Sequence, residues 1–221
     1  MRIFIPSSGP ESWRHLLAKP DVHWATGYSA RTVAHAWEGA NGFPPEVQRL
    51  LTLAFGPTEL LFAIPEHKTA LPGGSRESQS DVFAIGRHAT GLITCTIEGK
   101  VDEPFGPTVA KQMAGASAGQ TVRMEYLCAL LGIGACPPDI HYQLLHRTAS
   151  ALIEAERFHA QDAAMIVHSF SPESRWADAF GRFVEVLGGK AVPGNPTTIS
   201  VPSGRRLVLG WAAGDQRFRA M

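Results

Sequence analysis

The segment that decides the fold reads LITCTIEGKV and covers residues 92–101. Successive side chains of a strand point to opposite faces of its sheet, so Ile93 and Ile97 would lie together on an apolar face. On the other face, Glu98 and Lys100 point the same way at the end of the segment. β-Branched residues predominate, which favours a strand. We therefore expect a strand with a helix covering its apolar face and an acid–base pair at its end.

Outward from this segment, hydrophobic periodicity predicts alternating helices and strands. The expected helices cover residues 30–41 (with Ser29 as N-cap), 45–55, 120–131, 140–160 and 175–187, and the expected strands cover 60–64 (or on to Leu71), 82–86, 92–101, 164–170, 199–201 and 206–211. The short gap from His88 to Gly91 predicts a hairpin. The order predicts an α/β fold: a mixed central sheet flanked by helices, with N-terminal helices and a C-terminal helix and strand pair as additions.

Size and composition are those of one globular domain spanning residues 1–221, with 44% hydrophobic and 18% charged residues. The formal net charge is zero, which argues against a protein that coats nucleic acid through bulk charge. The neutral net charge does not exclude a local basic surface. Four arginines near the C-terminus form either a solvated segment or a phosphate-binding surface: Arg205, Arg206, Arg217 and Arg219.

The remaining composition points to a cytoplasmic protein without membrane association. The three cysteines, Cys95, Cys128 and Cys136, fit neither a disulfide framework nor a zinc spacing. The apolar stretch after Met1 is too short for a secretion signal. No run of about 18 apolar residues is present, so no transmembrane helix is expected.

The chemistry of the chain is expected where Asp81 meets the end of the central strand. Asp81 opens the preceding strand and would lie opposite Glu98 in an antiparallel pair. Two carboxylates brought together repel unless a proton or cation lies between them. Mg²⁺ takes such oxygen ligands, and Lys100 would then stand beside it. The alternative is that Glu98 and Lys100 form an exposed ion pair of little energetic consequence.

Asp81, followed after the hairpin by Glu98-Gly99-Lys100, resembles the signature of the PD-(D/E)XK nuclease superfamily. The order helix, three strands, helix, strand resembles the restriction-endonuclease-like core of that superfamily over about residues 42–170. The stretch from Ser78 to Gly106 is similar to an uncharacterised bacterial family placed there.

This resemblance implies a metal-dependent nuclease. Asp81 and Glu98 would bind Mg²⁺ or Mn²⁺ with the backbone carbonyl of Gly99 as third ligand, and Lys100 would position or deprotonate the attacking water. The implied reaction is hydrolysis of phosphodiester bonds, with nucleic acid as partner, DNA in preference to RNA, and a homodimer as a candidate assembly. The chain departs from the signature at Ser80, where the signature has proline.

Two further positions extend the implied site. Some branches of the superfamily carry a glutamine on the helix after the strand, and Gln143 looks like that residue. Arg147 lies four positions later on the same helix face, so both side chains either face the site or cover a solvated surface. Glu46 is a weaker candidate for an extra metal ligand, because an acid near a helix N-terminus is favoured by the helix dipole alone.

Two other functions remain open at the level of sequence. The first is a non-catalytic binding or assembly module with the same fold, which the neutral net charge favours. The second is an enzyme acting on a small phosphorylated substrate. A fold does not by itself decide among these functions.

Overall fold

The fold alternates helices and strands, as a computed structural model of the chain describes it for residues 6–221. The helices are α1 (Pro20–His23), α2 (Ser29–Glu38), α3 (Pro45–Phe55), α4 (Val109–Met113), α5 (Ala118–Leu131), α6 (Tyr142–Arg157) and α7 (Ala177–Val186). The strands are β1 (Glu59–Thr69), β2 (Ser78–His88), β3 (Gly91–Lys100), β4 (Asp162–Ser169), β5 (Thr197–Ser200) and β6 (Arg206–Ala213). Short 3-10 helices cover Pro10–Leu16 and Gln216–Ala220. The expectation of no secretion signal at the N-terminus concerns residues 1–5 and lies outside the described residues.

The six strands form one mixed sheet in the order β1-β2-β3-β4-β6-β5. β1, β2 and β3 pair antiparallel, whereas β3, β4 and β6 run parallel and β5 returns antiparallel beside β6. The β2–β3 hairpin closes at His88 and Gly91. The mixed sheet, the hairpin and the C-terminal strand pair confirm the α/β prediction.

Two apolar cores cover the two faces of the sheet. On one face, α2 and α3 pack against Ile93, Cys95 and Ile97 of β3, all three of which are fully buried. On the other face, α5, α6 and α7 cover the sheet through residues such as Leu145 and Phe183. Helix α6 is fixed to β3 by hydroxyl groups of the strand, which donate hydrogen bonds to carbonyl oxygens of the helix (Thr94 to Ala151 and Thr96 to Arg147, both 2.9 Å). The polar face of β3 therefore lies under α6.

Two local predictions need correction or extension. Ser29 is not an N-cap, because α2 begins at Ser29 itself and Tyr28 occupies the cap position without a side-chain hydrogen bond. The strand predicted over 60–64 continues past Pro65 to Thr69. Proline is tolerated there because β1 is an edge strand of the sheet, where a missing N–H leaves no ladder bond unmade.

The C-terminal arginines are held by acids of the same chain. The pairs are Arg205–Glu156, Arg206–Asp162, Arg217–Asp215 and Arg219–Asp102, at 2.5 to 3.2 Å. Each charge thus has an intramolecular partner, which agrees better with a structural segment than with a phosphate-binding surface. Within residues 6–221, none of the helices is both long and apolar enough to span a bilayer.

Candidate functional site

The candidate site lies where β2 and β3 separate. The backbone ladder between these strands runs from His88 and Gly91 to Val82 and Ile97. The same register would next place Glu98 opposite Asp81 and then Gly99 opposite Ser80. The N–H of Gly99 instead donates to Oδ2 of Asp81 at 2.6 Å. Within a strand, the N–H and C=O of one residue point toward the same neighbour. The carbonyl of Gly99 is therefore directed toward the gap that Asp81 occupies.

Glu98 is the centre of a buried network. Its Oε1 accepts hydrogen bonds from Lys100 Nζ at 2.5 Å and from Gln143 Nε2 at 2.8 Å, and its Oε2 accepts one from Arg147 Nε at 2.6 Å. Glu98 and Lys100 are only 2% and 3% exposed, so the alternative of an exposed surface ion pair is wrong. Gln143 and Arg147 occupy successive turns of α6, and both face the site.

A third acid, Glu66 of β1, joins the site. The pairs Pro65 with Val82 and His67 with Ser80 place Glu66 opposite Asp81 in the β1–β2 register. Glu66 has a backbone φ of 53°, a left-handed conformation that is uncommon for a residue other than glycine. Its Oε2 accepts a hydrogen bond from Gln79 Nε2 at 2.7 Å. Three carboxylates from three neighbouring strands therefore share one region of the sheet.

The electrostatics of the three acids differ. Burial raises the pKa of Asp81 well above its usual range, and the charges of Glu98 and Glu66 raise it further. Burial also raises the pKa of Glu66 to about 7, although the hydrogen bond from Gln79 opposes the change. Burial acts on Glu98 too, but the charges of Lys100 and Arg147 outweigh it and leave its pKa below the ordinary value. Glu98 is the ionised acid of the cluster, and the other two hold protons readily.

Residues behind Arg147 fix its orientation. Arg147 Nη1 donates to Ser78 Oγ at 3.0 Å, and Ser78 Oγ lies 2.8 Å from Nδ1 of His146. Burial lowers the pKa of His146 well below its usual value, and the charge of Arg147 lowers it further. A neutral His146 can accept a hydrogen bond from the Ser78 hydroxyl, which leaves the serine oxygen free to accept one from Arg147.

The structure thus brings Asp81, Glu98, Gly99, Lys100 and Gln143 into one region, where their chemical roles stay predictions. Glu46 lies elsewhere: its Oε1 is 2.5 Å from Nε2 of His168, so it is not part of this cluster.

Sequence reasoning missed three members of the site: Glu66, Ser78 and His146. Glu66 lies in the predicted extension of the first strand, where the sequence alone predicts that an acidic side chain is exposed to solvent. His146 directly precedes Arg147 in the sequence, and this position was the one local indication that His146 could belong to the site.

Apolar residues border the site on both faces of the sheet. Lys100 Nζ lies 5.2 Å from the ring centroid of Phe105, which is fully buried in the segment after β3. On the other face of the sheet, a Cβ on Gly99 would overlap Val33 Cγ2 and come within 3.1 Å of Asp81 Oδ2. Glycine is therefore required here by the close approach of α2 and of the Asp81 carboxylate.

The candidate ligand atoms of this cluster are oxygens, which are the ligands that hard divalent cations such as Mg²⁺ take. Asp81 Oδ1 accepts no hydrogen bond from residues 6–221, and Glu98 Oε2 accepts only one. Ser80 Oγ, on the residue before Asp81, is buried without a hydrogen-bond partner among the same residues, and bound water would satisfy it. Residues 6–221 contain no group of three or more His, Cys, Asp or Glu side chains arranged around a metal position. The expected ligand set comprises two carboxylates and one backbone carbonyl.

The fold and site define an α/β protein with a six-stranded mixed sheet and a buried acid–base cluster where its β2 and β3 strands part. Residues 6–216 match a family described as a domain of unknown function, DUF6946. The match covers nearly the whole chain, which therefore belongs to this family. No curated protein and no solved structure matches the chain significantly.

Proposed function

We propose that this chain is a divalent-metal-dependent phosphodiesterase with a restriction-endonuclease-like core and nuclease-like activity on nucleic acid. The observation that carries the proposal is the convergence of Asp81, Glu98 and Lys100 at the gap between β2 and β3. The resemblance to the nuclease signature supports the same assignment. Glu66 adds a third carboxylate that the signature does not contain.

The charge balance of the cluster explains why a cation would be taken up. Fully ionised, Glu66, Asp81 and Glu98 would carry three negative charges against the two positive charges of Lys100 and Arg147. Burial and the neighbouring carboxylates raise the pKa values of Asp81 and Glu66, so protonation of these acids would relieve this excess. A cation bound by deprotonated carboxylates replaces such protons, so its affinity should rise with pH.

Each residue has a distinct role in the proposal. Asp81, Glu98 and the carbonyl of Gly99 would hold Mg²⁺ or Mn²⁺, which when bound polarises a phosphoryl oxygen and supplies a nucleophile at neutral pH. Lys100 carries three N–H donors, of which one holds Glu98, so the others can orient a water or meet negative charge on a phosphate oxygen. Gln143 and Arg147 hold the Glu98 carboxylate in place.

A second candidate function, a non-catalytic binding or assembly module, is favoured by one observation. Both oxygens of Glu98 already accept hydrogen bonds from cationic side chains, and Lys100 is almost fully buried. A buried carboxylate that is neutralised in this way can be purely structural. The two functions differ in whether the cluster takes up a metal ion.

Titration with Mn²⁺, followed by electron paramagnetic resonance and calorimetry, separates the two functions. The proposal expects one Mn²⁺ per chain, bound more tightly at pH 8 than at pH 6. Asp81→Asn keeps an oxygen to accept from Gly99 but removes the charge, and should weaken binding by about tenfold or more. Asp102→Asn is the matched control, because Asp102 pairs with Arg219 at the surface and should leave binding unchanged.

Cleavage assays then test the substrate. Supercoiled plasmid, linear DNA, single-stranded DNA, RNA and bis(p-nitrophenyl) phosphate would each be incubated with Mg²⁺ or Mn²⁺. Lys100→Met should abolish cleavage while leaving the fold intact by circular dichroism. Hydrolysis of the small phosphodiester alone would move the assignment to a small phosphorylated substrate. A chain that binds no Mn²⁺ at millimolar concentration would leave the structural module as the function.

A further inference from the structure

A cavity of about 610 Å³ lies away from the acid–base cluster, beside the C-terminal end of β6. Helix α3, helix α7 and the segment before β5 enclose it. β5 pairs with β6 only as far as Leu209, so Trp211–Ala213 border the cavity instead of another strand. In open α/β sheets, ligands bind outside the carboxyl ends of the strands. The volume lies within the range of small-molecule sites.

The cavity wall is largely apolar and contains one buried polar group without a partner among residues 6–221. Leu50, Phe180, Val192 and Pro193 contribute to the apolar wall. The indole N–H of Trp211, which also lines the cavity, is buried and has no acceptor among residues 6–221. A buried donor that is left unpaired is costly, so this N–H calls for an acceptor supplied by water or by a ligand.

Arg49 supplies positive charge at the same cavity. It is exposed, and within residues 6–221 it makes neither an ion pair nor a side-chain hydrogen bond. Its Nη1 would lie 3.2 Å from a Cβ at Gly194, so the absence of a side chain at Gly194 leaves room for the guanidinium beside the segment before β5. Guanidinium groups bind carboxylate, sulfonate and phosphate oxygens in a fixed forked geometry.

The other charged residues of the wall are already accounted for. Glu46 contacts His168, and Arg182 pairs with Asp139 at 3.0 Å and with Glu185, the third acid of the wall, at 3.8 Å. Asp178 is exposed in the first turn of α7, where the helix dipole stabilises a carboxylate. Arg49 is therefore the cation of the wall whose charge is not neutralised within the described part of the chain.

Gly181 provides an independent sign that the cavity is kept open. It lies in the middle of α7, where glycine is about 1 kcal/mol less favourable than alanine. A Cβ at this position would meet only Ala191 Cβ, at an ordinary contact distance of 3.8 Å. Packing within the protein thus does not require glycine here. Because Gly181 lines the cavity, its missing side chain preserves the cavity volume.

We propose that this cavity binds a small amphipathic anion, with an apolar body against Phe180 and Trp211 and a carboxylate, sulfonate or similar anionic group at Arg49. An acceptor atom of the ligand would pair with the indole N–H of Trp211. This binding site is separate from the acid–base cluster and does not depend on metal binding there.

Two fluorescent probes of nearly equal shape test the proposal on the full chain. 1-Anilinonaphthalene-8-sulfonate carries an anionic group, whereas N-phenyl-1-naphthylamine has the same ring system without it. The proposal expects one sulfonate probe per chain at saturation. Arg49→Gln should weaken the sulfonate probe by about tenfold, which is the low end for a charge-assisted hydrogen bond, and leave the neutral probe unchanged.

Variants of the wall complete the test. Gly181→Leu fills the cavity and should abolish binding of both probes. Gly181→Ala should keep binding and should not lower the thermal midpoint, since alanine is the better helix former; this shows that a side chain at this position is compatible with folding. Arg87→Gln, an exposed arginine paired with Glu59 on β1, is the matched charge control and should change nothing. Equal weakening of both probes by Arg49→Gln, or binding that survives Gly181→Leu in a folded chain, would overturn the proposal.

Discussion

Replacing Glu66 by glutamine tests whether this acid is buried beside Asp81. Glutamine keeps the shape of the side chain and an oxygen that can accept from Gln79. The ordinary pKa of the carboxyl is 4.5, and burial raises it to about 7 in the folded chain. Between these two values the folded state binds more protons than the unfolded state. The stabilising contribution of the protonated acid is therefore present at low pH and is lost as pH rises through about 7.

The magnitude follows from the two pKa values. Between pH 5 and pH 8, titration of Glu66 should lower the free energy of unfolding by about 2.5 kcal/mol. For a chain of this length, that corresponds to a fall in melting temperature of roughly 5 to 10 °C. Glu66→Gln removes this contribution, so the difference between variant and wild type should change by about 2.5 kcal/mol over the same range. Taking this difference cancels the effects of other groups, such as His146, to first order.

Urea unfolding of both proteins at several pH values, without divalent metal, measures this difference. Glu59→Gln is the matched control, because Glu59 lies on the same strand but is exposed and paired with Arg87. Its difference from wild type should stay constant with pH. If the Glu66→Gln difference were equally constant, Glu66 would not be the desolvated, proton-holding acid that its partly buried position indicates. The charge argument for metal uptake would then lose its main support.

Two further predictions concern the packing and pairing of the site. Gly99→Ala should destabilise the chain by about 1 to 3 kcal/mol, because its methyl group would overlap Val33, and Val33→Ala in the same chain should recover part of this loss in urea unfolding. Arg147→Met should cost about 3 kcal/mol, because it leaves Glu98 buried with Lys100 as its one cationic partner. Adding Glu98→Gln to Arg147→Met should cost less than the sum of the two single changes, and strict additivity of the two changes in thermal unfolding would contradict the shared network.

Much of the fold follows from local patterns that the sequence displays. The alternation along β3 placed Ile93 and Ile97 on one face and Glu98 and Lys100 on the other, because the side-chain period of a strand is a property of the backbone itself. The helical spacing of Gln143 and Arg147 likewise placed both on one side of α6. Such periodicities need no knowledge of the partner elements, and the structure shows both.

The rest of the site depends on contacts between distant segments. Glu66 reaches Asp81 only through the register of β1 against β2, and its left-handed backbone conformation has no sequence signal of the kind that glycine would provide. The prediction of Ser29 as an N-cap was wrong because a favourable residue type does not determine where the first helical turn begins. His146 acts through Ser78, which is 68 positions away in the sequence. Long-range geometry of this kind is decided by the whole sheet.

A comparison within the same sheet indicates which acids are structural. Glu154 on α6 accepts hydrogen bonds from His67 and Thr69, both at 3.0 Å. Burial raises the pKa of Glu154, but the hydrogen bonds from His67 and Thr69 and the neighbouring positive charges together outweigh it and leave the pKa below the ordinary value. Asp81 and Glu66 are partly buried on neighbouring strands, where the positive charges and hydrogen bonds around them do not offset desolvation, so their pKa values are raised. A core selected for stability alone would pair these acids as it pairs Glu154, or replace them with apolar residues. Strained and incompletely paired groups concentrate at functional sites, which is the physical reason for assigning chemistry to this cluster.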